Sequence, residues 1–109
     1  MKQIYALLGL ALRAGHLVSG DAAVLNAIRT GEAQLVIVAE DASDATKKRF
    51  EDKCKSYSAG MLLFGEREAL GHALGKEMRA VAAVTDAGFA RSILQKTRMP
   101  ETVRGGKKD

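Results

Sequence analysis

Cysteine occurs once in the 109 residues, at Cys54, so no disulfide can form within the chain and packing has to hold the fold. That usage agrees with a reducing compartment. No apolar run approaches the roughly 20 residues of a membrane span, and the first residues lack the charged region, apolar core and small-residue site of a signal peptide. The expectation is a cytoplasmic protein with no membrane contact. Histidine is scarce as well: His16 and His72 stand alone, neither at a metal-ligand spacing from Cys54, so no zinc or other metal site is expected.

Catalytic signatures are also lacking. The glycines of LGHALGK, Leu70 to Lys76, do not fit the GxxxxGK[ST] frame of a phosphate loop. Cys54 falls on the apolar stripe of a predicted helix with no paired base, and reads as core, not as a nucleophile. Glu40, Asp41 and Asp44 cluster after a predicted strand, where open α/β sheets bind ligands, and a Mg²⁺-dependent phosphotransfer site is conceivable there. It would need a carboxylate on a second strand end and a lysine on a third. Thr85-Asp86 echoes only part of that, so the acidic residues are expected to cap the next helix and face water. Neither an enzyme nor a cofactor is expected.

What is present is an ordinary globular composition, 47% hydrophobic and 28% charged, long enough for one domain with its own core. The net charge is +4. Lys96, Arg98, Arg104, Lys107 and Lys108 outweigh Glu101 and Asp109, so the last 14 residues carry +3 and the body about +1. A basic tail suits a nucleic-acid partner, because each neutralised phosphate releases counterions, and it equally suits solubility. Pro100 and the Gly105-Gly106 pair predict a loose segment over 96–109, leaving 1–95 as the domain.

In chain order, Ile4, Leu7, Leu8, Ala11 and Leu12 recur at helical spacing, predicting an amphipathic helix from Lys2 to Arg13 that closes at Gly15. Leu17 and Val18 form a short strand. Asp21 is placed to cap a second helix, Val24, Ala27 and Ile28 make its core stripe, and Gly31 ends it in the left-handed conformation. Ala33 to Ala39 is a β-branched apolar run with the look of a central strand. A third helix, capped by Ser43 or Asp44, carries Phe50, Cys54 and Tyr57 on one stripe and a basic outer face with Lys47, Lys48, Arg49, Lys53 and Lys55 partly paired to Glu51 and Asp52. Then come strand MLLF after Gly60, a helix over Glu66 to Leu74, a polar loop Lys76-Glu77-Met78-Arg79, a strand over Ala80 to Thr85 and a last helix after Gly88 with Phe89, Ala90, Ile93 and Leu94. This alternation predicts a three-layer α/β sandwich with a mixed or parallel sheet.

The run GLALRAGHLVSGDAAVLNAIRTGEAQLVIVAEDASDATKKRFEDKCKSY, with LGHALGK and AAVTDAGFA after it, resembles the kink-turn-binding ribosomal protein family of the L-seven-Ae type, and within it the small bacterial YlxQ-like branch. The likeness extends over Lys2 to Leu94. It implies an αβα sandwich around a four-stranded mixed sheet and binding, without catalysis, to structured RNA such as a bent internal loop with sheared G·A pairs. The implied RNA surface is the start of the second helix with the loop before the last strand: Ser19, Gly20, Asp21, Ala22, Asn26 and Arg29, facing Lys76, Glu77, Met78 and Arg79. A ribosomal or ribosome-associated monomer is the expectation.

The residue chemistry of that surface is direct. A helix start after a glycine turn offers backbone N–H groups and a positive dipole end to phosphate oxygens. Ala22, Asn26 and Arg29 share a face off the core stripe; Asn26 can pair a base edge, Arg29 and Lys76 can hold phosphate, and Met78 can pack under an unstacked base. The chain departs from the archaeal pattern at Ala22, Ala23 and Asn26, where an Asn-Glu pair and a Lys are usual. Two such base-reading contacts contribute about 1–3 kcal/mol each. The alternative is a protein-interaction adaptor that keeps the fold without specific kink-turn recognition, toward which the apolar Leu25, off the core stripe, would point.

Overall fold

The computed structural model describes residues 2–102, with side chains through Thr97. Five helices alternate with four strands: α1 Lys2–Arg13, β1 Leu17–Ser19, α2 Asp21–Arg29, β2 Leu35–Val38, α3 Asp44–Tyr57, β3 Gly60–Leu63, α4 Arg67–Ala73, β4 Val81–Val84 and α5 Ala87–Thr102. The strands form one sheet in the order β1-β4-β2-β3. β2 runs parallel to β3 and antiparallel to β4, which in turn pairs antiparallel with β1. The sheet is thus mixed, and α1 packs against α4 and α5 while α2 packs against α3, giving the αβα sandwich that the alternation of elements predicts.

The β-branched run at Val36, Ile37 and Val38 is buried on both faces, as befits an interior strand covered by helices above and below. β4 is the other interior strand and is equally buried. Into this sheet α2 inserts Val24, Ala27 and Ile28, α3 inserts Phe50 and Cys54, and α5 inserts Ala90 and Ile93. Among the described residues no polar or charged side chain is fully buried, so close packing alone carries the interior.

The helix ends show the sequence rules at work, with several corrections. Ser43 caps α3 by accepting from the Thr46 N–H at 3.1 Å. Asp41 does not serve α3: it accepts from the Arg67 N–H at 2.8 Å and stands 3.5 Å from the Arg67 guanidinium, fastening the start of α4. Asp86 accepts from the Phe89 N–H at 2.9 Å, so α5 opens at Ala87 and takes Gly88 inside it. That helix runs on to Thr102, past the Gln95 at which the apolar pattern fades; the rest of the expected tail, 103–109, lies outside the described residues. On α1, Leu12 is 36% exposed and Gly9 takes the core position instead, while Tyr57 on α3 is 48% exposed. Leu25 packs against the core, which removes the hint that it is offered to a partner. No described helix is long and apolar enough to cross a membrane.

Burial raises the Cys54 thiol above its ordinary range, because desolvation disfavours the thiolate. Ionisation therefore favours the unfolded chain, and the stability this thiol contributes is present below the ordinary thiol range and lost as pH rises through the raised value. At pH 8 iodoacetamide should modify native Cys54 far more slowly than the denatured chain. Equal rates in the two states would contradict the packing of α3 on the sheet.

Candidate nucleic-acid interface

β1 is only three residues long, yet its ladder decides which segments the candidate site brings together. Leu17, Val18 and Ser19 stand opposite Val84, Ala83 and Ala82, and the Gly20 N–H donates to the Val81 carbonyl at 3.1 Å. The turn leaving β1 and the loop entering β4 are therefore neighbours at one end of the sheet. Arg79 closes the gap, its Nε donating to Ser19 Oγ at 2.9 Å and its Nη1 to the Met78 carbonyl at 2.9 Å.

Gly20 occupies the position before α2 with φ 94° and ψ 153°, a conformation essentially reserved for glycine. It cannot cap with a side chain, and no described side chain caps α2 at all. Asp21, expected as the cap, is instead the first helical residue, and its carboxylate pairs with the Arg49 guanidinium of α3. The reason is geometric: Gly20 already provides the turn, so Asp21 projects sideways from the helix. The first-turn N–H groups at Asp21, Ala22 and Ala23 stay open to an incoming acceptor, with the positive end of the helix dipole behind them.

The loop on the other side is a fixed platform. The Lys76 N–H donates to the Gly71 carbonyl at 2.7 Å and the Arg79 N–H to the Arg67 carbonyl at 3.0 Å, tying both loop ends to α4. Gly71 permits this closeness: a Cβ there would lie 2.6 Å from the backbone N and Cα of Met78 and 2.7 Å from the Glu77 carbonyl carbon. Lys76, Glu77 and Met78 are exposed and line, with Glu68 and His72, an open groove of about 500 Å³ along α4. Met78, 53% exposed, is an apolar surface in a polar rim.

The expected residues thus divide. Ser19, Gly20, Asp21 and Ala22 are brought to the loop, with Arg79 as the bridge. Asn26 and Arg29 are exposed along α2, but at 1.5 Å of rise per residue Arg29 stands about 12 Å along the axis from Asp21, at the opposite end of the helix. Lys76, Glu77 and Met78 share the α4 groove. Sequence reasoning missed two residues. Gly71, a glycine inside a helical run, carried the usual signal of a close backbone approach. Arg49 carried none, being one cation among five on α3. Among the described residues no cluster of His, Cys, Asp or Glu is arranged to hold a metal.

The ribosomal protein L7Ae/L30e/S12e/Gadd45 family matches residues 2–94. The chain belongs to this family. It is 46% identical over 90 residues to the RNA-binding protein YlxQ of Bacillus subtilis (strain 168), covering 83% of this chain and 90% of that one. To the RNA-binding protein YlxQ of Enterococcus faecium it is 42% identical over 86 residues, covering 78% and 82%. The relationship is thus to the YlxQ branch of the family. Among solved structures, a Bacillus halodurans protein of unknown function superposes with a TM-score of 0.80 at 44% identity, over 84% of this chain and 92% of that one. The Giardia lamblia 15.5kD RNA binding protein superposes with a TM-score of 0.72 at 23% identity, over 84% and 82%, a likeness of fold.

Replacing Gly71 with Ala should push the Lys76–Arg79 loop off α4, since the clash is with backbone that cannot rotate away. A loss of about 1–3 kcal/mol in denaturant unfolding and shifted amide resonances over residues 76–80 are expected. An unchanged spectrum would contradict the close approach.

Proposed function

We propose that this protein binds structured RNA without catalysing a reaction, as a cytoplasmic, ribosomal or ribosome-associated factor. The observation that carries the reading is the junction of an uncapped helix start with a basic loop, closed by the Arg79–Ser19 hydrogen bond. Phosphate oxygens or base acceptors would take the open N–H groups of Asp21, Ala22 and Ala23, with Lys76 and Arg79 holding the strand beside them and Asn26 and Arg29 extending the contact along α2. Met78 would pack against an unstacked base. The YlxQ relatives are named as RNA-binding proteins, which supports this partner class.

A kink-turn is the RNA shape proposed. Ala22 and Ala23 offer no side-chain amide or carboxylate, so recognition would pass through backbone N–H groups and phosphate position, a readout of shape more than of base identity. Three cationic contacts, Arg29, Lys76 and Arg79, give an expected log–log salt slope of about −2 to −3. The basic residues of 96–109 would add affinity without sequence preference.

Binding of three labelled RNAs, a kink-turn, the same stem without its bulge and a single strand of equal length, should be measured as salt rises from about 50 to 200 mM. The kink-turn should be preferred by tenfold or more, about 1.4 kcal/mol. Replacing Asn26, Arg29, Lys76 and Arg79 together with Ala should abolish binding while the circular-dichroism melt keeps a folded transition. Binding that survives the fourfold change would move the site elsewhere.

A further inference from the structure

Arg49 differs from Lys48 and Lys55 of the same helix in where it is directed. Lys48 pairs with Asp52 at 3.4 Å and Lys55 with Glu51 at 3.8 Å, both along α3 itself and both well exposed. Arg49 reaches off its own helix to Asp21, a residue 28 positions earlier that opens α2, and it does so with its guanidinium 5.4 Å from the Phe50 ring centre. Both side chains of the pair are about half exposed, 49% for Arg49 and 50% for Asp21.

Stability gives little reason for such a pair, since exposed ion pairs contribute weakly to folding. Its position gives a better one. Asp21 stands at the first turn of α2, where its carboxylate would repel any phosphate approaching the open N–H groups beside it. Arg49 cancels that charge in place. A guanidinium has five N–H donors in a planar fork, and the Asp21 hydrogen bond uses one of them from Nη2. The Arg49 side chain is about half exposed beside the start of α2, with the Phe50 ring below its guanidinium and the Asp21 carboxylate at its side.

We propose that Arg49 is a phosphate-contacting residue of the RNA interface, positioned by Asp21, so that α3 extends the contact surface beyond α2 and the Lys76–Arg79 loop. The proposal rests on the RNA-binding reading above and adds to it a residue and a device. Asp21 holds the guanidinium in one orientation, and the pair gives the helix start a directed donor where Ala22 and Ala23 supply none. Lysine cannot replace arginine in this role. A single ammonium on a flexible stem holds the carboxylate or the phosphate without fixing a plane between them.

The test is a salt titration of the full chain against a labelled kink-turn RNA and the same stem without its bulge, for the wild type, Arg49→Ala, Arg49→Lys and Asp21→Asn. Arg49→Ala should weaken kink-turn binding about three- to tenfold at 50 mM salt and make the log–log slope shallower by about 0.7–0.9, the release expected for one phosphate contact. Arg49→Lys should keep the slope and still lose affinity. Asp21→Asn should lower the preference for the kink-turn over the plain stem without making the slope shallower, because the Arg49 charge remains, no longer cancelled, while its fixed orientation is lost. Melting curves of the three variants within a few degrees of wild type would assign these effects to contact and not to unfolding. If the wild type binds and Arg49→Ala matches it in affinity and slope, the Arg49 assignment is overturned and the wider reading stands. If the wild type binds neither RNA, the RNA-binding reading itself falls, and Arg49 with it.

Discussion

The antiparallel register of β1 on β4 is the constraint on which the proposed RNA face depends. It sets Ser19 opposite Ala82, and the Gly20 N–H adds one more bond, to the Val81 carbonyl, just as the chain turns into α2. β4 is locked in turn by β2, with Val36 opposite Ala83 and Ile37 opposite Ala82, every one of these side chains buried. A slip of one residue would turn the buried Leu17 outward and the half-buried Val18 inward, so hydrophobic burial holds the register. The apolar core therefore sets the spacing between a helix start and a loop 60 residues apart in sequence, with the Arg79–Ser19 bond as the final fastening.

Local rules are broken at this face and kept elsewhere. α3 and α5 each start on a side chain that accepts a backbone N–H, Ser43 and Asp86, and α4 starts against Asp41. α2 alone of these four begins on a glycine, with no side-chain cap. A glycine in place of a bonded Ser or Asp cap costs about a few tenths of a kcal/mol, small but unfavourable. A cap would also fill the N–H groups that make a helix start attractive to an anion. Local stability and an open donor site cannot both be had there, and departures of this kind concentrate where a protein binds something. The Asp21–Arg49 pair fits the same logic, since it neutralises the carboxylate without covering the helix end.

Much of the fold was legible in the sequence because it rests on periodicity. The β-branched run of β2, the stripe Val24-Ala27-Ile28 and the glycine after α2 each reflect local chemistry that the three-dimensional context reinforces. Errors fell where two local signals competed. Asp21 and Gly20 both favour a helix start, and the glycine turn took the outer position. Leu12 and Gly9 lie on adjacent sides of α1, and the tight approach of α1 to α4, where a Cβ on Gly9 would lie 3.3 Å from the Ala73 carbonyl oxygen, selects the smaller residue. The two segments of the candidate site are named by the family resemblance, and the structure makes them neighbours, but the side-chain links between them were not legible. Neither the Arg79–Ser19 bond nor the Arg49–Asp21 pair has a periodic trace, because each joins residues whose separation in sequence is set by the fold and not by a helix or strand repeat.

The most direct test of the account is an amide chemical-shift map of the isotope-labelled protein titrated with a kink-turn RNA. The account predicts the largest changes at Gly20 to Ala23 and at Lys76 to Arg79, two segments that the β1–β4 ladder makes neighbours, with the β3 edge at Met61 to Leu63 left unmoved. Changes centred on β3 and the adjoining face of α3, with the Gly20 turn silent, would contradict it.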